Sequence, residues 1–380
     1  MTVVLGGGSL SANIQGVAFT GSATYSPLYD CKAMVYVIGG GGSGAACYNV
    51  NSAGEVMCAS GGGAGGCAVS LLDLKAAHTY TITVGAGGAR VSKTYNSHGS
   101  GIAGGNTTFV DGSATISTMT GNGGGAGDSS KASPTSTTTT ASAATGGSAS
   151  GGTLANNTGG GSGTATTVWT SGYFNMAAIA SSGGGAVGLF GTGYASGNVS
   201  GVPRNTYNNE KSCGGGAGVG GSSGTTSGSI STATGGGSAN GPSANVTSFE
   251  QLGDGAVGLS DGFSPANALS LGGSGGDVNA ACGQGADDVG MTPTAGVGAG
   301  GGSTQNSAYQ PRGATQNGGV FAGGGAMAVT QTDNFIFYAG NGGTGAGGGA
   351  GARLTSSNVT SIQSGAGGSG VVLIQILEKS

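Results

Sequence analysis

Residues 33–44 read AMVYVIGGGGSG, an apolar run that opens directly into a block of glycine. The same arrangement returns in mirror order near the other end, where GGSG at residues 367–370 precedes VVLIQIL at residues 371–377. Continuous apolar runs of this length are typical of strands that are buried on both faces. We therefore expect the two runs to pair and to close one domain.

Glycine accounts for 92 of the 380 residues. Ordering a glycine costs about 0.5–1 kcal/mol more than ordering an alanine, so the whole set costs on the order of 50–90 kcal/mol, against a usual domain stability of about 5–15 kcal/mol. Disorder would avoid this cost, but disordered chains carry high charge and few aromatic residues. This chain has 6% charged residues, a net charge of −4, 11 Tyr, 9 Phe and 1 Trp, which favours order. The tetrapeptide Gly-Gly-Gly-Ala occurs six times, beginning at positions 61, 123, 183, 214, 323 and 347.

The glycine blocks fit neither of two familiar structures. In an α-helix each glycine costs about 1 kcal/mol, and collagen needs a glycine at every third position and many more than 7 prolines. The remaining regular form is the extended three-fold helix of the polyproline type, and several such helices can bond side by side when no Cβ separates them. The predicted fold class is all-β with irregular structure: strands bracketing a packed bundle of polyglycine-type helices, with long surface loops and almost no α-helix.

Local patterns divide the rest of the chain. Alternating apolar and polar residues predict strands at 67–71, 79–84 and 106–110, the last followed by an Asp-Gly turn and a hairpin partner at 114–119. Residues 1–30 are assigned to an N-terminal arm or attachment and oligomerisation segment, with one or two polar strands at 13–29, and residues 31–380 to a glycine-rich domain. Within that domain we expect a low-complexity excursion at 128–150 and variable loops at 164–182, 189–212, 246–271 and 303–322.

The distribution of basic residues and the length of the apolar runs argue against nucleic-acid and membrane partners. The 10 Lys and Arg are spread over the whole chain, whereas a nucleic-acid-binding protein needs a basic stripe. The apolar runs are far shorter than the roughly 18 residues of a membrane-spanning helix, and the N-terminus lacks the basic region and apolar core of a secretory signal. We expect no nucleic-acid partner, no membrane insertion and synthesis in a cytoplasm without a signal peptide.

Catalytic, cofactor and metal patterns are weak throughout. Residues 61–66 match the G-x-G-x-x-G fingerprint of dinucleotide-binding folds, but such matches arise by chance at this glycine content and no helix follows. His78 and His98 lie in polar turn settings that are typical of hydrogen-bonding surface residues. Asp287 and Asp288 lack the spacing of an EF-hand, so a solvated loop is a better interpretation than a calcium site. We predict no enzymatic activity, no cofactor and no metal site.

The six cysteines include no C-x-x-C pair, so a zinc site is not expected. Two interpretations stay open: small buried apolar residues, or disulfides formed after release from the cell. The positions are 31, 47, 58, 67, 213 and 282.

Aromatic residues in the loops lie among Asn, Ser, Thr and Gly, with two arginines nearby. Rigid aromatic anchors beside adaptable polar neighbours are typical of a binding surface made of loops. The alternative is that these aromatics cap the ends of the glycine core. The receptor-binding candidates are Trp169, Tyr173, Phe174, Tyr194, Arg204, Tyr207, Tyr309 and Arg312.

The motifs follow one another in a recognisable order: MVYVIGGGGSG at 34–44, GGGAGG at 61–66, YTITVGAGG at 80–88, GGNTTF at 104–109 and GGSGVVLI at 367–374. This order resembles the glycine-rich domain of tailed-phage tail-fibre and adhesin proteins. The resemblance covers residues 33–377 and is most specific in the N-terminal third and the last strand, while the middle matches only in composition and layout. The first thirty residues depart from it.

The resemblance implies a non-enzymatic virion structural protein, a tail-fibre or tip adhesin that binds a host-cell surface receptor through variable loops. The implied partners are a host cell-surface glycan or outer-membrane protein and other virion or fibre subunits, as a homo-oligomer such as a trimer. The implied location is the virion, as a tail or surface fibre, after synthesis in the host cytoplasm. The alternative is a glycine-rich structural subunit of an extracellular filament or a head-attached virion fibre, for which the first thirty residues supply a strand to a neighbour.

Overall fold

The computed structural model describes residues 15–50, 56–132, 138–168, 178–189, 191–201, 210–219, 232–234, 245–247, 251–252, 300–301, 304–306, 315, 317–329, 336–355 and 361–379. Regular secondary structure within these residues consists of strands, with no helix, so the expected all-β class is confirmed. The first fourteen strands are β1 (Gln15–Phe19), β2 (Ala23–Tyr25), β3 (Cys31–Ile38), β4 (Ala46–Val50), β5 (Val56–Ala59), β6 (Cys67–Leu74), β7 (Tyr80–Thr83), β8 (Ser92–Lys93), β9 (Ser97–Gly99), β10 (Thr107–Asp111), β11 (Met119–Gly121), β12 (Ser129–Ala132), β13 (Thr138–Ala141) and β14 (Ala149–Ser150). The others are β15 (Ala155–Asn157), β16 (Ala165–Val168), β17 (Ala178–Ser181), β18 (Val199–Gly201), β19 (Glu210–Cys213), β20 (Thr232–Thr234), β21 (Asn245–Thr247), β22 (Gln251–Leu252), β23 (Thr304–Asn306), β24 (Met327–Val329), β25 (Phe337–Tyr338), β26 (Gly351–Thr355), β27 (Ile362–Gln363) and β28 (Val371–Lys379).

The two apolar runs that bracket the glycine blocks pair with each other, as expected. β3 and β28 are antiparallel, from Ile38 opposite Val371 to Cys31 opposite Lys379, with a bulge between Ile376 and Glu378. They occupy the centre of a five-stranded sheet with the order β1-β28-β3-β6-β15, which we call the terminal sheet. Because β1 also pairs with β28, the first and last strands of the described chain are held together by backbone hydrogen bonds.

A second five-stranded sheet, ordered β14-β11-β10-β7-β2, packs against the terminal sheet and completes a β-sandwich. The strands predicted at 67–71, 79–84 and 106–110 are β6, β7 and β10. Large buried side chains fill the space between the sheets, with the rings of Tyr80 and Phe109 stacked at 5.1 Å. This is a conventional apolar core in which side chains exclude water. The two strands expected within residues 13–29 are β1 and β2, at the edges of the two sheets.

The hairpin partner of β10 is β11, not the expected residues 114–119. The cause is Asp111, whose buried carboxylate accepts hydrogen bonds from Ser113 N at 2.9 Å, Thr115 Oγ1 at 2.6 Å and Ile116 N at 3.2 Å. These bonds hold the chain after β10 in a turn and delay the next strand until Met119.

The glycine blocks form extended segments without strand assignment, which we call the glycine segments. All six Gly-Gly-Gly-Ala copies lie in them. Their amides bond to carbonyl groups of other glycine segments that are distant in sequence. The segments are residues 39–45, 60–66, 84–91, 100–106, 122–128, 142–148, 158–164, 182–188, 193–198, 214–217, 322–326, 339–343, 346–350 and 364–370.

Hydrogen bonds of the first glycine segment repeat every three residues. Successive amides donate to three different neighbouring segments, and the fourth amide returns to the first neighbour, three residues further back along it. Three successive residues of the segment thus face three different neighbouring segments, and the next three residues repeat this order. The bonds are Gly39 N to Gly66 O, Gly40 N to Gly105 O, Gly41 N to Gly368 O, Gly42 N to Gly63 O, Ser43 N to Ile102 O, Gly44 N to Gly365 O and Ala45 N to Ser60 O, at 2.8–3.1 Å.

Close approach of backbones explains why these positions are glycine. A Cβ placed on Gly62 would lie less than 3.0 Å from the carbonyl of Gly42 and from the carbonyl carbon of Ser43, both of which are backbone atoms that cannot rotate away. Where a segment carries serine instead, the hydroxyl replaces a backbone partner: Ser182 Oγ accepts from Gly61 N at 3.1 Å and donates to Gly163 O at 2.6 Å. Polar backbone groups in this interior are therefore paired rather than shielded by side chains.

At the end of the glycine segments opposite the terminal sheet, short strands form four stacked sheets, which we call the layered stack. Their orders are β13-β16-β18, β12-β5-β17-β19-β22, β23-β24-β26-β4-β9 and β25-β27-β8. Neighbouring layers share small apolar clusters, exemplified by Cys58 with Ala180 and Ala141, by Met57 with Ala328, and by Tyr48 with Phe337. β20 and β21 pair with each other in a separate two-stranded sheet.

Residues 128–150, expected as a low-complexity excursion, contain the strands β12, β13 and β14 and a glycine segment. β12 pairs with β5, β13 with β16 and β14 with β11. Residues 133–137 fall outside the described residues, so the excursion is at most the part between β12 and β13.

Candidate functional site

The connections at the far end of the layered stack, which we call the loop end, are brought together by parallel pairing. β16 and β18 are parallel with Thr167 opposite Gly201, so they end side by side. β17 and β19 are parallel with Ala178 opposite Glu210, so they begin side by side. The connections 169–177 and 202–209 therefore start at adjacent points and finish at adjacent points.

The third layer brings further connections to this end. β23, β24, β26 and β4 are mutually parallel in that order, and each strand points away from the terminal sheet. Asn306 lies opposite Val329, and Thr355 lies opposite Val50. The chain that follows each of these strands thus leaves the stack at the loop end.

The expected loops are shorter than the sequence indicated. Residues 164–182 include β16 and β17, residues 189–212 include β18 and β19, and residues 303–322 include β23 and a turn at 319–322. Of residues 246–271, the structure describes only the end of β21 and β22. Threonine and alanine pair into strands here because neighbouring segments supply the partners, which local composition does not reveal.

Seven of the eight receptor-binding candidates lie outside the described residues. Their positions in the sequence place three of them between β16 and β17, two between β18 and β19, and two after β23. They are Trp169, Tyr173 and Phe174, then Arg204 and Tyr207, then Tyr309 and Arg312.

Tyr194 is described, and it lies at the opposite end of the glycine segments. Its neighbour Gly193 donates to Thr158 O at 2.7 Å, and Thr158 directly follows β15 of the terminal sheet. The Tyr194 side chain is 44% exposed. The structure therefore does not bring Tyr194 together with the strand ends that flank the other candidates.

An exposed tyrosine that the sequence analysis passed over does lie at the loop end. Tyr95 occupies the turn between β8 and β9, is 50% exposed, and precedes Asn96, which adopts a φ of 48°. β9 is antiparallel to β4, with Ser97 opposite Tyr48, which directs this turn toward the loop end. A tyrosine followed by Asn-Ser between short polar runs was the available signal, since Asn tolerates the left-handed backbone of tight turns.

A buried cation supports the loop end from inside. Arg353 on β26 is fully buried, and its guanidinium lies 5.1 Å from the ring centroids of both Tyr48 and Phe337. An arginine held between two aromatic rings joins the third and fourth layers. It contributes packing and cation–π attraction there rather than a surface contact.

Titratable side chains in the described residues form pairs rather than reactive clusters. His78 Nδ1 lies 3.4 Å from Asp111 Oδ1, and His98 Nδ1 lies 3.1 Å from Ser129 Oγ. Burial raises the pKa of Asp111, but the Thr115 hydroxyl, the amides of Ser113 and Thr115 and the neighbouring His78 outweigh burial and hold the pKa below its usual value.

The described cysteines are buried and none is in a disulfide with another described cysteine, which agrees with the first of the two interpretations for these five. Burial raises the pKa of Cys58 and of Cys67 to about 12 and that of Cys47 well above its usual value, so these thiols stay protonated at neutral pH. A protonated thiol is a poor nucleophile and a poor metal ligand. The five are Cys31, Cys47, Cys58, Cys67 and Cys213, while Cys282 falls outside the described residues.

The described part of the chain contains no group of three or more His, Cys, Asp or Glu that could hold a metal ion. Within the same residues, no helix is long and apolar enough to cross a membrane. Asp287 and Asp288 lie outside this part of the chain.

The profile of a family described as a glycine-rich domain matches residues 17–276, which is more than half of the chain. No curated protein sequence matches the chain.

Proposed function

The chain belongs to the glycine-rich domain family, and from that premise we propose that it is a virion structural protein, a phage tail-fibre or tip adhesin. It attaches to a host-cell surface receptor, a glycan or an outer-membrane protein, through the connections at the loop end. It works without a catalytic step and assembles with other fibre subunits, as a homo-oligomer, in the tail or surface fibre of a virion.

The scaffold in this proposal is a packed bundle of polyglycine-type helices. Its support is the three-residue repeat of the hydrogen bonds, because a chain with three residues per turn presents the same side at every third residue. A second support is the antiparallel partner sequence, in which positions 39, 42 and 45 meet positions 66, 63 and 60. An ordinary strand would alternate between two sides instead.

The observation that carries the receptor-binding role is the parallel register of the layered stack. Parallel strands place the starts of several connections next to each other, and these connections hold seven of the aromatic and arginine candidates. The interior of the glycine segments is made of backbone and small side chains, so the connections can change in sequence without disturbing the packing there. A rigid scaffold with variable loops is the arrangement that binding proteins use repeatedly.

The test is attachment of the purified full-length protein to a panel of bacterial strains, measured by flow cytometry. In the loop variant, residues 169–177, 202–209 and 307–314 are all replaced by glycine and serine residues, so that each connection keeps its length. The matched control carries Leu71→Ser and Leu154→Ser, two exposed residues at the terminal sheet and away from the loop end. We expect attachment of the control and loss of attachment in the loop variant at an unchanged melting temperature.

Unchanged attachment of the loop variant would contradict the assignment of binding to the loop end. The filament alternative gives a different result: no attachment to any strain, and fibre formation that is lost when residues 1–30 are removed.

A further inference from the structure

We propose that Arg90 forms a binding subsite for the anionic group, carboxylate or phosphate, of an acidic saccharide. This inference rests on the proposed function and deepens it, since it names a chemical class for the receptor. It starts from the fourth layer of the stack, the sheet β25-β27-β8, whose outer face is free of any other described layer.

Polar side chains form a row across that outer face. Tyr338 lies opposite Gln363, and Gln363 lies opposite Ser92, so the three share one side of the sheet. Their neighbours Phe337 and Ile362 point inward and are buried against the third layer. Arg90 lies just before this sheet, and its guanidinium lies over the ring of Tyr338, which places it beside the row, while Val91 packs inward.

The Arg90 guanidinium is fixed in position before any ligand binds. It lies 5.1 Å from the centroid of the Tyr338 ring and donates from Nη2 to Asn341 Oδ1 at 2.9 Å. That oxygen also accepts from Ala366 N at 2.9 Å, so Asn341 is itself held. Pre-organisation of this kind lowers the entropy lost on binding.

The backbone that carries Arg90 is also fixed. Val91 N donates to Ser364 Oγ at 3.0 Å, and Ser364 N donates to Val91 O at 3.0 Å. On the other side, Ala339 N donates to Gln363 O at 2.9 Å, which sets the position of Tyr338. Sites built on such paired segments are more precise than sites built on free loops.

Charge makes an anion the fitting ligand. The ion pairs of the described residues are Lys32–Glu378, Lys75–Asp30 and His78–Asp111, and none of them includes Arg90. Arginine has five N–H donors in a planar fork that matches carboxylate and phosphate. The bond to Asn341 uses one of them, and Gln363 and Ser92 offer neutral hydrogen-bonding groups for sugar hydroxyls nearby.

The subsite borders a connection that holds receptor-binding candidates. The chain after Tyr309 and Arg312 returns to the described residues at Thr315, whose Oγ1 donates to Tyr338 O at 3.1 Å. This bond anchors the end of that connection beside the Arg90 site. A saccharide bound at Arg90 would thus lie beside the point where this connection rejoins the described chain.

The test titrates the full-length protein with methyl β-glucuronide and with glucose 6-phosphate, and follows ligand signals by NMR. Methyl β-glucoside is the uncharged comparison. We expect at least one acidic sugar to bind about tenfold or more tightly than the glucoside, and Arg90→Gln to remove that preference. Arg90→Lys keeps the charge but loses the fork and should fall between the two. Lys75→Gln, at the sandwich, is the matched control and should leave binding unchanged.

Equal binding of the acidic and the neutral sugars, or a preference that survives Arg90→Gln, overturns the proposal. The cell assay separates this failure from failure of the proposed function. Loop-dependent attachment that Arg90→Gln leaves unchanged would retain the adhesin and reject the subsite. Arg90-dependent binding of acidic sugar without attachment to any strain would retain the subsite and reject the adhesin.

Discussion

Substitution of Gly62 by alanine should destabilise the protein although it adds a single methyl group. The Cβ would lie less than 3.0 Å from the Gly42 carbonyl, which accepts a hydrogen bond from Gly348 N at 3.0 Å. To make room, Gly42 must shift and weaken that bond and its own bond to Gly63 O at 2.8 Å. The three nearest atoms are all backbone, so no side chain can rotate to relieve these contacts.

The expected loss follows from three effects. Overpacking costs about 1–3 kcal/mol, and a buried carbonyl without its donor costs about 1–3 kcal/mol more. In the opposite direction, alanine lowers the conformational entropy of the unfolded chain, which stabilises the folded protein by about 0.4–1 kcal/mol. The free energy of unfolding should fall by about 1–5 kcal/mol, which lowers the melting temperature by several degrees.

Two other glycines provide graded controls for this prediction. Gly105→Ala meets Ala86 N at 3.0 Å and Gly85 Cα at 3.2 Å and should cost less. Gly16→Ala in β1 has no atom within 4 Å and should be neutral or slightly stabilising, since only the unfolded chain is affected. Differential scanning calorimetry should give the lowest melting temperature for Gly62→Ala, an intermediate one for Gly105→Ala and the highest for Gly16→Ala. A Gly62→Ala protein as stable as Gly16→Ala would refute the reasoning.

Three further predictions concern polar groups and thiols. Ser182→Ala leaves the buried Gly61 amide without its acceptor and leaves Gly163 O with the longer 3.2 Å bond from the Ser162 hydroxyl, so it should lower the free energy of unfolding by about 1–3 kcal/mol, measured by denaturant titration, whereas the exposed Ser100→Ala should have no effect. Asp111 has a lowered pKa, so its contribution to stability is present above the unfolded pKa of about 3.9 and is lost as pH falls through the lower, folded pKa. Asp111→Asn should therefore lower the melting temperature at pH 7, and the difference from the unaltered protein should shrink as the pH falls below about 3.9. In a Cys282→Ser background, the five buried thiols should resist iodoacetamide in native buffer and react in denaturant, and rapid native labelling seen by mass spectrometry would show that the segments around them open.

The sandwich could be predicted from the sequence because its strands carry their own pattern. The apolar runs of β3 and β28 and the alternation in β7 and β10 are local signals that large side chains fill a core. The start of the strand after β10 was predicted wrongly. The turn before it is held by hydrogen bonds to the carboxylate oxygens of Asp111, which the spacing of apolar residues does not reveal.

The layered stack could not be predicted in the same way. β13 reads Thr-Thr-Thr-Ala and β12 reads Ser-Ser-Lys-Ala, which are also loop compositions. These residues become strands because the glycine segments deliver them next to β16 and β5, and that pairing is a tertiary effect. Local propensity carries little weight where neighbours supply the hydrogen bonds.

The candidate site could be predicted only in part, because its location depends on tertiary structure. Composition identified the connections rich in aromatic and amide residues, but the end of the molecule at which each one lies depends on chain direction. Tyr194 follows the chain reversal near Gly191, on the side of the terminal sheet, whereas Tyr95 lies in a short turn at the loop end. Neither placement is visible in the residues around these tyrosines.

Amide hydrogen exchange of the glycine segments tests the central claim most directly, namely that paired backbones form the interior. Exchange followed by NMR should be slowed by about a thousandfold or more at Gly41, Gly63 and Gly348, to a degree similar to that of β3 and β28. Their donors are engaged at 2.8–3.0 Å with segments distant in sequence. Exchange at the rates of an unstructured chain in these glycines, with β3 and β28 still protected, would contradict the account.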